Sequence, residues 1–306
     1  MTFVYVKDEV LGRFEGRSEY DISPESGAVS FGSQWAVSYC GRVERDLIRL
    51  EVRKLYEGNS PDIVRHYHQH AVAAPPGTFA EWNRVRNLAF RARDVVHALA
   101  RLGDEVAAVA TQLLGRAVSS KDVVSLDRRW LDHHGWWNAE AVEPICRHVS
   151  LSATRDTFID RCKDLHRLVV EGLHESTLRE LLVELGIDAS SVKDFRSLKL
   201  LRRLVELAKL GQNSGLHLAS DSAEVVARFT TPADPSPCRH LFALYDVRQL
   251  DAHRASSSFS QKLEAGLRTF GVDPASTAPG YGRAIDAVYD ALATELNACA
   301  DALATA

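Results

Sequence analysis

An arginine and a histidine five positions apart, set in an apolar helical run, are the residues of this sequence best suited to chemistry. The run is Leu241-Phe242-Ala243-Leu244-Tyr245-Asp246-Val247-Arg248-Gln249-Leu250-Asp251-Ala252-His253-Arg254. A guanidinium presents forked donors that match a phosphate, and an imidazole titrates closest to neutrality, so the pair suits an anion clamp beside an acid or base. The same spacing recurs at Arg65…His70, Arg128…His133 and Arg161…His166, so it is the setting that marks Arg248…His253. A basic segment precedes it, with Lys193, Arg196, Lys199, Arg202, Arg203 and Lys209 against Asp194 and Glu206. Such a stripe can meet phosphates, or it can be a solvated helix face. Arg42, Arg45, Arg49 and Arg53 form a second stripe, on one face of a helix expected over 34–57. His66 and His70 lie one turn apart on an expected helix and could supply two metal ligands, but no Asp or Glu stands with them. His133-His134, beside Trp136-Trp137, reads more simply as packing.

The Leu-x-x-Leu-Tyr-Asp-x-Arg-x-Leu-x-Ala-His text resembles the signature of the HEPN superfamily, an Arg-x(4–6)-His motif with a polar residue after the arginine. Here that residue is Gln249, where the family often has Asn. The resemblance covers residues 154–306 at most, and the N-terminal half resembles no known family. It implies an all-helical bundle and metal-independent cleavage of RNA, with two protomers pairing so that both motifs face one cleft. His253 is then the general base or acid toward the 2′-hydroxyl, and Arg248 clamps the scissile phosphate as charge builds on it. Asp251 would orient one of them, and Arg196, Lys199 and Arg203 are the candidate RNA contacts. The resemblance also implies a role in antiviral defence or a toxin-like stress response. No metal and no cofactor are expected.

These residues need a scaffold, and the text from Trp35 onward is helical in its Ala, Leu, Arg and Glu content and three- and four-residue apolar spacing. Helices are expected at 34–57, 61–73, 79–114, 120–132, 154–173, 177–186, 192–211, 222–229, 237–255, 258–270 and 280–304. Thr78…Glu81, Ser119…Asp122, Thr177…Glu180, Ser191…Asp194 and Asp221…Glu224 have capping-box spacing, and Gly115, Gly186 and Gly271 fall where helices should end. The first ~30 residues instead carry short β-type runs broken by Gly12, Gly16 and Ser23-Pro24-Glu25-Ser26-Gly27. The fold class expected is mainly α. A domain over 1–145, with a small N-terminal β element plus helices, would precede a HEPN-like bundle over 150–306, the boundary lying between Trp136 and Leu151.

The 306 residues carry 37 Lys and Arg against 41 Asp and Glu, a net charge of −4, so nucleic-acid contact would be local and not a property of the whole surface. No segment has the ~20 apolar residues of a membrane span, and the N-terminus lacks the pattern of a signal peptide. Five scattered cysteines fit a reducing compartment, so the expected location is the cytoplasm. Phosphate-binding glycine loops, His-Glu-x-x-His and Gly-x-Ser-x-Gly are absent, which argues against nucleotide-driven motors, dinucleotide oxidoreductases, zincins and α/β-hydrolases. The expected partners are RNA and a second copy of the chain, with a protein partner docking on residues 1–145. The alternative is a non-catalytic helical scaffold or adaptor that uses the same segment for pairing. A third reading is a metal-dependent enzyme centred on His66 and His70.

Overall fold

Alternating aromatic and β-branched residues in Phe3–Lys7 form strand β1. It is followed by β2 (Asp21–Ser23), β3 (Ala28–Phe31), β4 (Trp35–Val37), β5 (Cys40–Val43) and β6 (Leu47–Glu51). Two short helices, α1 (Val52–Tyr56) and α2 (Pro61–Gln69), lead to β7 (Ala71–Val72) and α3 (Phe79–Trp82). The strands make a four-stranded antiparallel sheet in the order β5-β6-β1-β7 and a β2-β3-β4 meander. The computed structural model describes residues 2–82, 86–230, 237–253 and 258–304, except the side chains of Phe79, Ala80, Ala252 and His253.

The helix expected over 34–57 is therefore mostly strand. In β6, Val4 and Val6 of β1 stand opposite Leu50 and Ile48, and Val43 of β5 stands opposite Leu47. Glu44, with φ 51°, turns the chain between the two hairpin strands. The apolar spacing that reads as helical serves equally well here, because Leu47, Ile48 and Leu50 are all buried and β1 supplies the backbone partners. The four arginines consequently share no helical face. Arg42 and Arg45 are buried, Arg49 lies over the Phe3 ring at 4.5 Å, and Arg53 is exposed near Glu57.

The rest of the chain is helical: α4 (Leu88–Leu114), α5 (Arg128–His134), α6 (Glu143–Cys146), α7 (Arg155–His166), α8 (Glu175–Glu184), α9 (Ala189–Val192), α10 (Ser197–Ser214), α11 (Ser222–Arg228), α12 (Arg239–Gln249), α13 (Phe259–Thr269) and α14 (Gly282–Ala304). A π turn, Arg167–Glu171, extends α7, and a 3₁₀ turn, Leu250–His253, extends α12. Asn87 caps the start of α4 by accepting from the Ala89 N–H, and Gly115, at φ 61°, ends it in the left-handed conformation that favours glycine.

Helices α4 and α14 run parallel along each other. Arg91 pairs with Asp290, and ten residues on Arg101 donates to Asn297 (3.2 Å) and Asp301 (2.6 Å). Helix α14 is the axis of the bundle, burying Ile285, Val288, Tyr289, Leu292 and Leu296, and α7, α10 and α12 pack around it. Each such side chain contributes ~1.5–3 kcal/mol of burial.

One apolar core spans Leu88 to Leu303 and includes Ile145, Cys146 and Val149, so it runs through the expected 145–150 boundary. A separate core, Val6 to Tyr67, fills the β region. Buried and half-buried polar contacts join the two. Arg45 donates through Nε to both oxygens of Asp286 (2.7 and 2.8 Å), Asn87 donates to the Arg45 carbonyl, and His148 meets Glu15 (2.6 Å).

Candidate active site

Helix α12 presents two faces. Arg239, Phe242, Ala243 and Asp246 recur every three or four residues and border a depression of ≈ 670 Å³ with Arg202 and Phe270. At ~100° per residue, Arg248 lies on the opposite side. There it lines a smaller depression of ≈ 340 Å³ with Lys163, Arg167, Glu171, Gln249 and Asp251.

Arg248 is half-exposed and donates from Nη2 to Glu171 Oε1 at 3.0 Å. The π turn explains why Glu171 is there. In an uninterrupted α-helix His166 and Glu171 would diverge by ~140°, but five-residue bonding stacks i over i+5. Glu171 Oε1 accordingly comes within 3.3 Å of His166 Nδ1, although the alignment is too poor for a hydrogen bond. The turn closes at Gly172, where a Cβ would sit 2.4 Å from the Leu168 carbonyl oxygen. His166 is buried, neither ring nitrogen has a hydrogen-bond partner, and Tyr245 packs 5.7 Å from its ring. Burial and the charge of Arg248 hold its pKa below the usual histidine value, against the pull of Glu171.

Lys163 bridges Asp160 (2.9 Å) and Asp251 (2.5 Å), and the hydrogen bond to Asp251 raises its pKa. Asp251 belongs to the turn that also carries His253, so that backbone borders the same depression. The side chain of His253 lies outside the described residues. The other candidates do not line this depression. Arg196 approaches Glu175 (3.6 Å), Arg203 approaches Glu206 (3.4 Å) and covers Phe229, and Lys199 lies over Phe195. None of the three bonds to Arg248 among the described residues.

Nothing in the sequence joins His166, Lys163, Arg167 and Glu171 to Arg248. The one available signal was Arg161…His166, which repeats the five-residue spacing. Its arginine is structural: Arg161 is buried and donates to the Ile145 carbonyl (2.8 Å), the Tyr289 hydroxyl (2.8 Å) and the Arg147 carbonyl (3.1 Å).

His66 and His70 stay side by side, their rings 5.0 Å apart, but no third ligand joins them among the described residues. His66 Nε2 bonds the Val10 carbonyl at 2.9 Å, His68 Nε2 meets the Tyr56 hydroxyl at 2.8 Å, and His134 stacks on Trp130. Among the described residues no three His, Cys, Asp or Glu side chains gather as a metal would require, and no helix is long and apolar enough to cross a membrane. No protein-family model, no curated protein and no solved structure matches the chain.

Proposed function

We propose that this chain is a metal-independent endoribonuclease of HEPN type, with Arg248 as the phosphate clamp and His253 as the general base or acid. The observation that carries the reading is the convergence of Lys163, Arg167 and Arg248 on one depression bordered by the turn that bears His253. Three cations line the depression against two acids, Glu171 and Asp251, with Asp160 also paired to Lys163. A phosphodiester seated on the Arg248 fork would meet a guanidinium aimed at the charge that develops during attack by the 2′-oxygen. Pairing of two protomers would bring two such half-sites to one cleft, which fits the small number of acid–base groups in a single one. The region around β1–β7 would then sense, regulate or dock.

The scaffold reading has its own support: Arg248 is paired with Glu171, and Lys163 with Asp160 and Asp251, as in a self-satisfied surface network. One experiment separates the two. Mixed RNA is incubated in excess EDTA with the wild type, Arg248→Ala and His253→Ala, each first checked for unchanged folding and oligomeric state. Cleavage by the wild type alone supports the nuclease. No cleavage by any of the three favours the scaffold, and equal cleavage by all three rejects these residues as the site.

A further inference from the structure

We propose that Glu171 is a built-in occupant of the phosphate seat on Arg248, which a substrate phosphate must displace. The inference rests on the phosphate-clamp reading of Arg248 and concerns the control of that same site.

A carboxylate and a phosphate ask for the same thing from a guanidinium, two acceptor oxygens in the plane of its donors. One oxygen of Glu171, Oε1, takes half of that seat now, 3.0 Å from Arg248 Nη2. The contact is half-exposed on both sides, so it is cheap to break. It has been arranged at some structural expense, because the π turn that delivers Glu171 gives up regular α-helical bonding and demands a glycine at position 172.

The displaced carboxylate has somewhere to go. The same oxygen lies 3.3 Å from Nδ1 of buried His166, which has no hydrogen-bond partner. A small rotation of the Glu171 side chain would exchange a shared charge contact with Arg248 for an aligned hydrogen bond from the His166 N–H. That movement uncovers the Arg248 fork and withdraws one negative charge from a depression that also holds Lys163 and Arg167. Glu171 is on this account a positioning residue: it sets how tightly phosphate binds and takes no part in bond breaking.

The test is direct binding of a fluorescent 2′-O-methyl oligoribonucleotide, which keeps the phosphates but lacks the attacking 2′-hydroxyl. The proteins compared are the wild type, Glu171→Gln, Glu171→Ala and Arg248→Ala, with thermal unfolding recorded for each. Removing the competing charge should tighten binding by about 1.4- to 5-fold in both Glu171 variants, the range set by a half-exposed ion pair. Arg248→Ala should weaken it about ten-fold or more, as loss of a charge-assisted contact does. If Arg248→Ala weakens binding while both Glu171 variants leave it unchanged or weaker, the occupant role is overturned and the phosphate clamp stands. If Arg248→Ala binds like the wild type, the clamp itself fails and the occupant role fails with it.

Discussion

Asp286→Ala should be among the most damaging single substitutions in this protein. Arg45 sits in the turn between β5 and β6, almost wholly buried, and its Nη1 and Nη2 have no hydrogen-bond partner. Its compensation is Asp286, which accepts from Nε through both oxygens at 2.7 and 2.8 Å. Truncating Asp286 leaves a desolvated guanidinium without its hydrogen-bonded counter-charge, and breaking a buried pair in this way costs about 3–5 kcal/mol. For a chain of this size that corresponds to a fall on the order of 5–10 °C in the unfolding midpoint. Arg45→Met should cost less, because Asp286 keeps Arg283 at 3.6 Å and Arg91 at 4.0 Å. Arg45→Met with Asp286→Leu should recover most or all of the loss, since an apolar pair of similar volume carries no desolvation penalty. Urea unfolding followed by tryptophan fluorescence reads all three against the wild type. The reasoning fails if Asp286→Ala costs less than about 1 kcal/mol, or if the double variant is no more stable than Asp286→Ala.

Other perturbations should read out the interior in different ways. Burial works against protonation of His148, but the hydrogen bond and charge of Glu15 outweigh it, and its pKa is raised above the ordinary histidine value. The contribution of this pair is therefore fully present below about pH 6.5 and is lost as pH rises through the raised value. His148→Gln should lose more stability at pH 6 than at pH 9 in paired urea titrations, and an equal loss at both would contradict the assignment. All five cysteines are free, and burial pushes the Cys40 thiol up to about 12 and those of Cys146 and Cys162 higher still. Native protein at pH 8 should take up iodoacetamide slowly at buried Cys146 and Cys162, less slowly at half-buried Cys40, and rapidly at all three once unfolded; fast native labelling of Cys146 or Cys162, located by mass spectrometry, would contradict their burial. Gly103→Ala should destabilise by ~1–3 kcal/mol despite the better helix propensity of alanine, because its Cβ would fall 2.6 Å from Val124 Cγ2. A rise in the unfolding midpoint would refute that packing.

The helical part of the fold was legible wherever apolar spacing and stop signals agreed. Expected helices at 222–229, 258–270 and 280–304 lie within two residues of α11, α13 and α14, and Gly115, Gly186 and Gly271 all take positive φ. Capping boxes were legible where the hydroxyl had no competing acceptor. Thr78 and Glu81 bond reciprocally, as do Ser119 and Asp122, but the Thr177 hydroxyl donates to the Asp122 carbonyl and the Ser191 hydroxyl to that of Asp188. The strands after Trp35 were hidden because Val43, Leu47 and Leu50 have the three- and four-residue spacing of a helix, and only Ile48 and Leu50 alternate as a strand does. Pairing with β1, some forty residues back in sequence, settled the matter.

The candidate site divides along the same line. Arg248 could be found because α12 is a local feature, an apolar helix interrupted by charge. Its surroundings are not local. Lys163 and Arg167 reach the depression from α7 and its extension, and Glu171 arrives only because one turn there is π and not α. A π turn follows from how the flanking segments pack, and nothing in Arg-Leu-Val-Val-Glu announces it. A straight-helix reading of 154–173 sends Glu171 away from His166 and gives Arg248 no partner. The single inserted residue reverses both relations, and it makes the state of the Arg248 fork a property of α7 as much as of α12. Substitutions that never touch Arg248 should therefore be able to change what it binds, provided they alter whether that turn forms.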